Sequence, residues 1–218
     1  LNEMKSAVTR KTAGIVIEPI QGEGGIRPMD DDYLKGVRAI CDEYGLLLQF
    51  DEVQTGIGRT GKLYAYQWSG VEPDILSSAK GLGGGFPVGA TIATEQVAAT
   101  MGAGSHGSTF GGNPLAMACA NAVLDVVLSD GFLENVNAMS ERLRKGLNDL
   151  VTKYPNHLAG VRGKGLLLGL RFLGDGSEAG AMVVKANALG LLSVPAGDNI
   201  MRMIPPLVIE SAHVDEAL

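Results

Sequence analysis

The chain has 218 residues, of which 45% are apolar and 19% charged, and its net charge is −6. That is enough apolar side chain for a sizeable core and leaves no basic excess to hold a nucleic-acid backbone. Cys41 and Cys119 stand alone, outside any Cys-x-x-Cys or Cys/His cluster, so neither a disulfide framework nor a metal site is expected. No apolar run approaches the roughly 18 residues of a membrane span, and the N-terminus lacks a signal-peptide pattern, so no membrane partner and a cytoplasmic setting are expected. Glycine, 31 of 218 residues, is about twice as frequent as usual, which points to tight turns and close backbone approaches around a ligand. The chain opens on Leu1 rather than Met, and His213 to Leu218 read as a helix cut short, so a fragment is expected.

In chain order, Ala13 to Glu18 and Leu46 to Phe50 are β-branched or leucine-rich runs that predict buried strands. Between them Asp31 or Asp32 can cap a helix through Leu34, Val37, Ile40 and Cys41, stopped by Gly45, which makes a β-α-β unit. Asp74 to Ser78 and Val88 to Ala93 predict further strands, and Asn113-Pro114 opens an apolar helix to Leu128. This half reads as α/β with a largely parallel sheet. After the break at Ser129-Asp130-Gly131, an amphipathic helix runs from Leu133 to Leu150. Then come a strand at Leu166 to Phe172, a helix from Ser177 to Leu189, two short strands (Leu191 to Val194, Ile200 to Ile204) and a terminal helix, a smaller α+β part. Arg162-Gly163-Lys164-Gly165 reads as a turn before a core strand.

Several motifs fail on context. Gly56 to Gly61 and Gly102 to Gly107 both satisfy G-x-G-x-x-G, but neither sits between a strand and a helix as a pyrophosphate site requires. Gly56 to Lys62 also reads G-x-x-x-x-G-K, yet Leu63 follows where a magnesium ligand is needed. Ser77-Ser78-Ala79-Lys80 has the S-x-x-K spacing of serine acyl-enzymes without S-D-N or K-T-G, and stays as a distant alternative built on Ser77 and Lys80. His106, His157 and His213 form no metal-binding pair and read as solvated or hydrogen-bonded loop residues.

Two residues are informative together. Asp51 follows an apolar strand, which puts its carboxylate at the carboxyl edge of the sheet, where open α/β sheets bind ligands; alone it would read as a turn aspartate. Lys80 follows the next strand and precedes Gly81-Leu82-Gly83-Gly84-Gly85, where partial desolvation would make its amine nucleophilic; alone it would read as a surface lysine. Pyridoxal phosphate needs a lysine to hold it and an acid to face its ring nitrogen.

Glu18-Pro19-Ile20-Gln21-Gly22-Glu23-Gly24-Gly25, Asp51-Glu52-Val53-Gln54-Thr55-Gly56, Pro73-Asp74-Ile75 with Lys80-Gly81, and His106 to Pro114 stand in the order and spacing of the class III pyridoxal-phosphate aminotransferases, which the chain closely resembles to Arg202 and Pro205-Pro206-Leu207. The resemblance implies a fold-type-I transferase, with residues 1–129 the later part of the large cofactor domain and 130–218 a small C-terminal domain truncated at its end. It also implies roles. Lys80 would carry the cofactor and shuttle a proton, Asp51 would pair with the pyridinium nitrogen, and Gln54 would bond the ring 3-oxygen. Ser108 and Thr109 would bind the cofactor phosphate of a neighbouring subunit in a homodimer with shared sites. Arg202 would grip a substrate carboxylate, and Glu23 would pair with Arg202 in one half-reaction and release it in the other. The family members acting on N2-acetylornithine are the most similar, which implies transfer of its terminal amino group to 2-oxoglutarate in arginine biosynthesis. Ornithine, succinylornithine and 4-aminobutyrate are the alternative donors. Family chains are nearly twice this length, so the 218 residues alone are expected to be inactive.

Overall fold

The computed structural model describes residues 1–218. In chain order the elements are α1 (Asn2–Ala7), β1 (Gly14–Ile17), β2 (Ile20–Gln21), β3 (Arg27–Pro28), α2 (Asp31–Tyr44), β4 (Leu47–Asp51), α3 (Tyr66–Ser69) and β5 (Ile75–Ser78). A 3-10 turn at Lys80–Gly83 leads to β6 (Ala90–Ala93), α4 (Glu95–Ala98), α5 (Pro114–Val127) and α6 (Phe132–Lys153). Then follow β7 (Leu158–Lys164), β8 (Leu167–Phe172), α7 (Glu178–Ala188), β9 (Val194–Ala196), β10 (Ile200–Met203) and α8 (Ser211–Ala217). No single helix is long and apolar enough to cross a membrane.

Two compact units form. The first comprises Leu1–Pro19, Met29–Ile57 and Tyr64–Leu128; the second comprises Ile20–Pro28, Gly58–Leu63 and Ser129–Leu218. Two short segments that the hydropathy pattern leaves in the first part, Ile20–Pro28 and Gly58–Leu63, thus pack with the second.

The first unit is built on the sheet β1-β4-β5-β6, in which β1, β4 and β5 run parallel and β6 returns antiparallel along β5. Alternation along β4 sends Leu48 and Phe50 into the core against Leu34, Val37 and Cys41 of α2, and turns Leu47, Gln49 and Asp51 to the other face. Burying each such apolar side chain is worth about 1.5–3 kcal/mol. Asp30, not Asp31 or Asp32, occupies the N-cap position of α2 and makes no side-chain cap; Asp31 and Asp32 lie in the first turn, where their charge meets the positive end of the helix. Gly45 ends α2 with φ +65, a conformation that favours glycine. Asp74 accepts the Leu48 N–H (2.7 Å) and pairs with Arg38 of α2 (2.8 Å), tying helix to strands. Burial works against that carboxylate, yet these two donors hold its pKa below the usual range. Asn113 caps α5 by accepting the Ala116 N–H, with Pro114 in the first turn.

The second unit is an antiparallel sheet, β7-β8-β10-β9, with a β2-β3 hairpin beside it. Leu166, Leu168, Leu170 and Phe172 face Leu143 and Leu147 of α6 and Val183 of α7, whereas Leu167 faces Ile20 and Ile26 of the hairpin region. The same alternation in β10 gives Met201 and Met203 to the helix side and Ile200 to the hairpin side, which is therefore the side of Arg202. A Cβ on Gly169 would come within 3.1 Å of Ile26, so glycine there admits the hairpin.

Three further expectations are corrected. Arg162 to Lys164 belong to β7 rather than to a turn, because pairing with β8 (Arg162 opposite Gly169, Lys164 opposite Leu167) supplies the backbone bonds that the glycine-rich sequence does not advertise. The strand expected at Leu191 to Val194 lies at Val194–Ala196, the edge strand of the sheet, where the N–H that Pro195 lacks is tolerated. His213 is in α8, where its Nδ1 accepts the Glu210 N–H (3.1 Å) as a helix cap.

Candidate active site

Asp51 ends β4, and in the parallel neighbour β5 it stands opposite Ser77. Lys80 follows three residues later, so carboxylate and amine leave the same carboxyl edge of adjacent central strands. The Asp51 carboxylate accepts the Val53 N–H (3.0 Å), which orients it at the start of the loop carrying Gln54. A Cβ on Gly81 would lie 3.5 Å from that of Ile57, so the end of that loop packs against the lysine turn.

Lys80 has φ +47 and Ile57 φ +54, left-handed conformations that are uncommon for a non-glycine residue and strained for a β-branched one. The turn is held by Leu82 N–H to Ala79 carbonyl (3.0 Å) and Gly84 N–H to Gly81 carbonyl (3.1 Å). Lys80 is exposed in this chain, and the glycines that follow it add no side chains beside it. Ser77 Oγ accepts from the Gln49 side-chain amide (2.9 Å), and no histidine stands in the strand-end cluster to activate it as a nucleophile.

The loop owes its shape to Glu52, a residue whose role the sequence pattern does not reveal. Only 1% exposed, its carboxylate accepts Thr55 Oγ1 (2.7 Å) and the Ala65 (2.7 Å) and Tyr66 (2.8 Å) N–H groups. Burial pushes this carboxyl upward in pKa, and the three donors pull the other way.

In the second unit Arg202 lies opposite Gly169 in β8 and Val194 in β9, its side chain 10% exposed. Its Nη1 donates to Glu23 Oε1 (2.5 Å) and Nη2 lies 3.4 Å from Oε2, while Glu23 itself is 73% exposed. The buried Nε has no hydrogen-bond partner. A guanidinium sunk in a sheet, with an orphaned donor and an exposed acid as its ion-pair partner, has the chemistry to accept another carboxylate in that acid's place. Arg59 donates to the Leu166 (3.1 Å) and Pro205 (2.6 Å) carbonyls and so anchors the segment leaving β10; burial lowers its pKa to about 10.

Of the sequence-derived site residues, the structure therefore gathers Asp51, Gln54 and Lys80 at one strand edge, and Glu23 and Arg202 at another place. Ser108 and Thr109 lie in the exposed stretch Met101–Gly112 before α5, where Gly111 N–H turns back to the Ser108 carbonyl (3.3 Å). The amine, carboxylate and amide of the first group match the aldehyde, ring nitrogen and ring oxygen of pyridoxal phosphate in chemical type.

Known proteins resemble the chain over its whole length. The Aminotransferase class-III family matches residues 1–218. Acetylornithine aminotransferase of Brucella melitensis is 53% identical over 99% of this chain, covering 53% of its own length. That of Mesorhizobium japonicum is 52% identical over 100% of this chain and 54% of its own. The crystal structure of acetylornithine aminotransferase from Elizabethkingia anophelis superposes with a TM-score of 0.91 at 38% identity, covering 99% of this chain and 54% of that one. An ornithine aminotransferase from Plasmodium yoelii gives 0.90 at 35%, covering 98% and 56%. The chain thus spans about half the length of the relatives it matches. With that extent of likeness over a mixed α/β fold of this type, the chain belongs to the class III aminotransferases, which are pyridoxal-phosphate-dependent transaminases.

Proposed function

We propose that the chain works as the C-terminal half of an aminotransferase that moves the terminal amino group of N2-acetylornithine to 2-oxoglutarate, in the cytoplasm and in the service of arginine biosynthesis. The observation that carries the chemistry is Lys80, held in a left-handed turn beside the carboxyl end of β4, where Asp51 stands. The donor is taken from curated relatives at 50–53% identity that act, by name, on acetylornithine. The named ornithine enzymes are structural neighbours at 35–36%, so ornithine is the second donor to try.

When bound, pyridoxal phosphate supplies an aldehyde that captures amines and a ring that draws electrons from the adjoining carbon. Lys80 would hold that group through its amine, and the same amine is the base that would move a proton at the substrate carbon bearing the nitrogen. Asp51 at the strand end would pair with the ring nitrogen, and Gln54 would bond the ring 3-oxygen. Ser108 and Thr109 hold the phosphate belonging to the site of a second subunit, so the working unit is a homodimer.

Arg202 grips the α-carboxylate of 2-oxoglutarate or glutamate. Glu23 occupies Arg202 when the substrate presents an amine at its far end and needs no carboxylate there. One guanidinium thus serves two substrates that enter in opposite senses.

Borohydride reduction of the full-length polypeptide with pyridoxal phosphate, followed by peptide mapping, should place the phosphopyridoxyl adduct on Lys80. Labelling spread over surface lysines would sink this reading. Rates with acetylornithine, ornithine and 4-aminobutyrate then decide the donor.

A further inference from the structure

The loop that carries Glu23 is clamped. Gly197 N–H donates to the Glu23 carbonyl (2.9 Å), and a Cβ on Gly25 would come within 2.8 Å of the Gly197 carbonyl, so the Gly22–Ile26 turn lies flat on the β9-β10 turn. Asp198, in that turn, pairs with Arg162 of β7, with Arg27 of β3 (3.3 Å) and at longer range with Arg171 of β8 (3.8 Å). Arg162 also reaches the Gly25 carbonyl (3.4 Å).

Asp198 and Asn199 both have positive φ, +62 and +56, and Asn199 is pinned by the Phe172 carbonyl, Glu178 and the Ala179 N–H. One carboxylate thereby joins three arginines and both turns. Nothing about substrate contact requires such a cluster. It does hold the main chain on which the Glu23 side chain swings.

We propose that Asp198 is a positioning residue for the Glu23–Arg202 pair, and that through it the protein sets how readily Arg202 is released to a substrate carboxylate. The proposal rests on the assignment of Arg202 to substrate carboxylates. An acid on a fixed main chain loses only side-chain freedom when it pairs, whereas one on a loose loop loses backbone freedom as well. Fixing the loop therefore favours the closed pair, and loosening it favours the open guanidinium. Substrates whose amine adjoins a carboxylate gain from the open state; donors with a terminal amine gain from the closed one.

The test compares, in the full-length holoenzyme, kcat/KM for glutamate with kcat/KM for the terminal-amine donor. Asp198→Asn removes the charge but keeps a residue that tolerates the left-handed conformation. It should raise the glutamate-to-donor ratio by roughly two- to fivefold, the scale of a partly exposed ion pair. Arg162→Gln should act in the same direction. Hydrogen exchange at the Gly197 amide should quicken in both.

In a Glu23→Gln background, itself shifted further the same way, Asp198→Asn should add nothing to the ratio. An unchanged ratio in Asp198→Asn, or the same shift in the Glu23→Gln background, overturns the positioning role while leaving the function intact. A Glu23→Gln enzyme with a wild-type ratio overturns the assignment of Glu23 and Arg202 to substrate selection, and the positioning role with it.

Discussion

The two units hold their candidate site charges in opposite ways. At the β4-β5 edge, Lys80 and Asp51 sit on strand ends, with the lysine exposed and the backbone strained around it. In the antiparallel sheet, Arg202 is sunk between β8 and β9 and already has Glu23 as a partner. The first arrangement presents its side chains at an open rim, the carboxylate oriented by the Val53 N–H. The second holds a guanidinium that is already paired with a carboxylate. The difference follows from strand direction: parallel strands end together and leave side chains at a common rim, whereas an antiparallel strand passes its residues through the middle of the sheet.

The comparison is broken most severely at the lysine. Lys80→Ala in the full-length polypeptide should lower transamination by at least about 10^3-fold and abolish the borohydride-trapped adduct, with circular dichroism unchanged, because an exposed side chain carries no packing.

Next comes the rigidity behind the rim. Glu52→Ala would leave three donors facing a void and should cost about 3–5 kcal/mol in a denaturant melt, whereas Asp32→Ala at an exposed helix start should stay within about 0.5 kcal/mol. Equal losses would mean that the loop does not depend on its buried acid.

Smaller still, Arg202→Lys keeps the charge but loses the planar fork. KM for 2-oxoglutarate should rise about tenfold with kcat less affected, while the terminal-amine donor is touched less.

The smallest effect is one of pH. The Arg162 hydrogen bond holds the Asp198 carboxyl below its ordinary range, against the small cost of burial. Its contribution is therefore complete above about pH 4 and is lost as pH falls through the depressed folded-state value. Exchange at Gly197 should accelerate in that window. Glu52 has the opposite sign: its pKa is raised, so the folded state takes up the proton first and this residue does not add to acid lability. Acceleration near neutral pH would show that another group holds the loop.

Much of this was legible in advance. The spacing of Leu34, Val37 and Cys41, the Asn113-Pro114 start and the Gly45 stop each state a local preference that the fold obeys, and so α2 and α5 stand where expected. Asp51 and Lys80 were legible because an acid or amine directly after an apolar strand has only the sheet edge to occupy. The β2-β3 hairpin and β7 were not, since Ile20-Gln21 and Arg27-Pro28 are too short to show a period and β7 is interrupted by Gly160 and Gly163. Asp198 was silent for another reason: its three arginines come from β3, β7 and β8.

The sequence by itself determined the elements with a strong period, the family, and the places of Asp51 and Lys80 at the carboxyl ends of their strands, because those follow from residue types within a few positions of one another. Only the tertiary structure decided that Ile20–Pro28 packs with the second unit, that Glu23 meets Arg202 across 179 positions, and that Lys80 and Ile57 are held at positive φ. Such features are set by which distant backbones are brought into contact, and a strained conformation or a long-range ion pair persists only when the surrounding packing holds it.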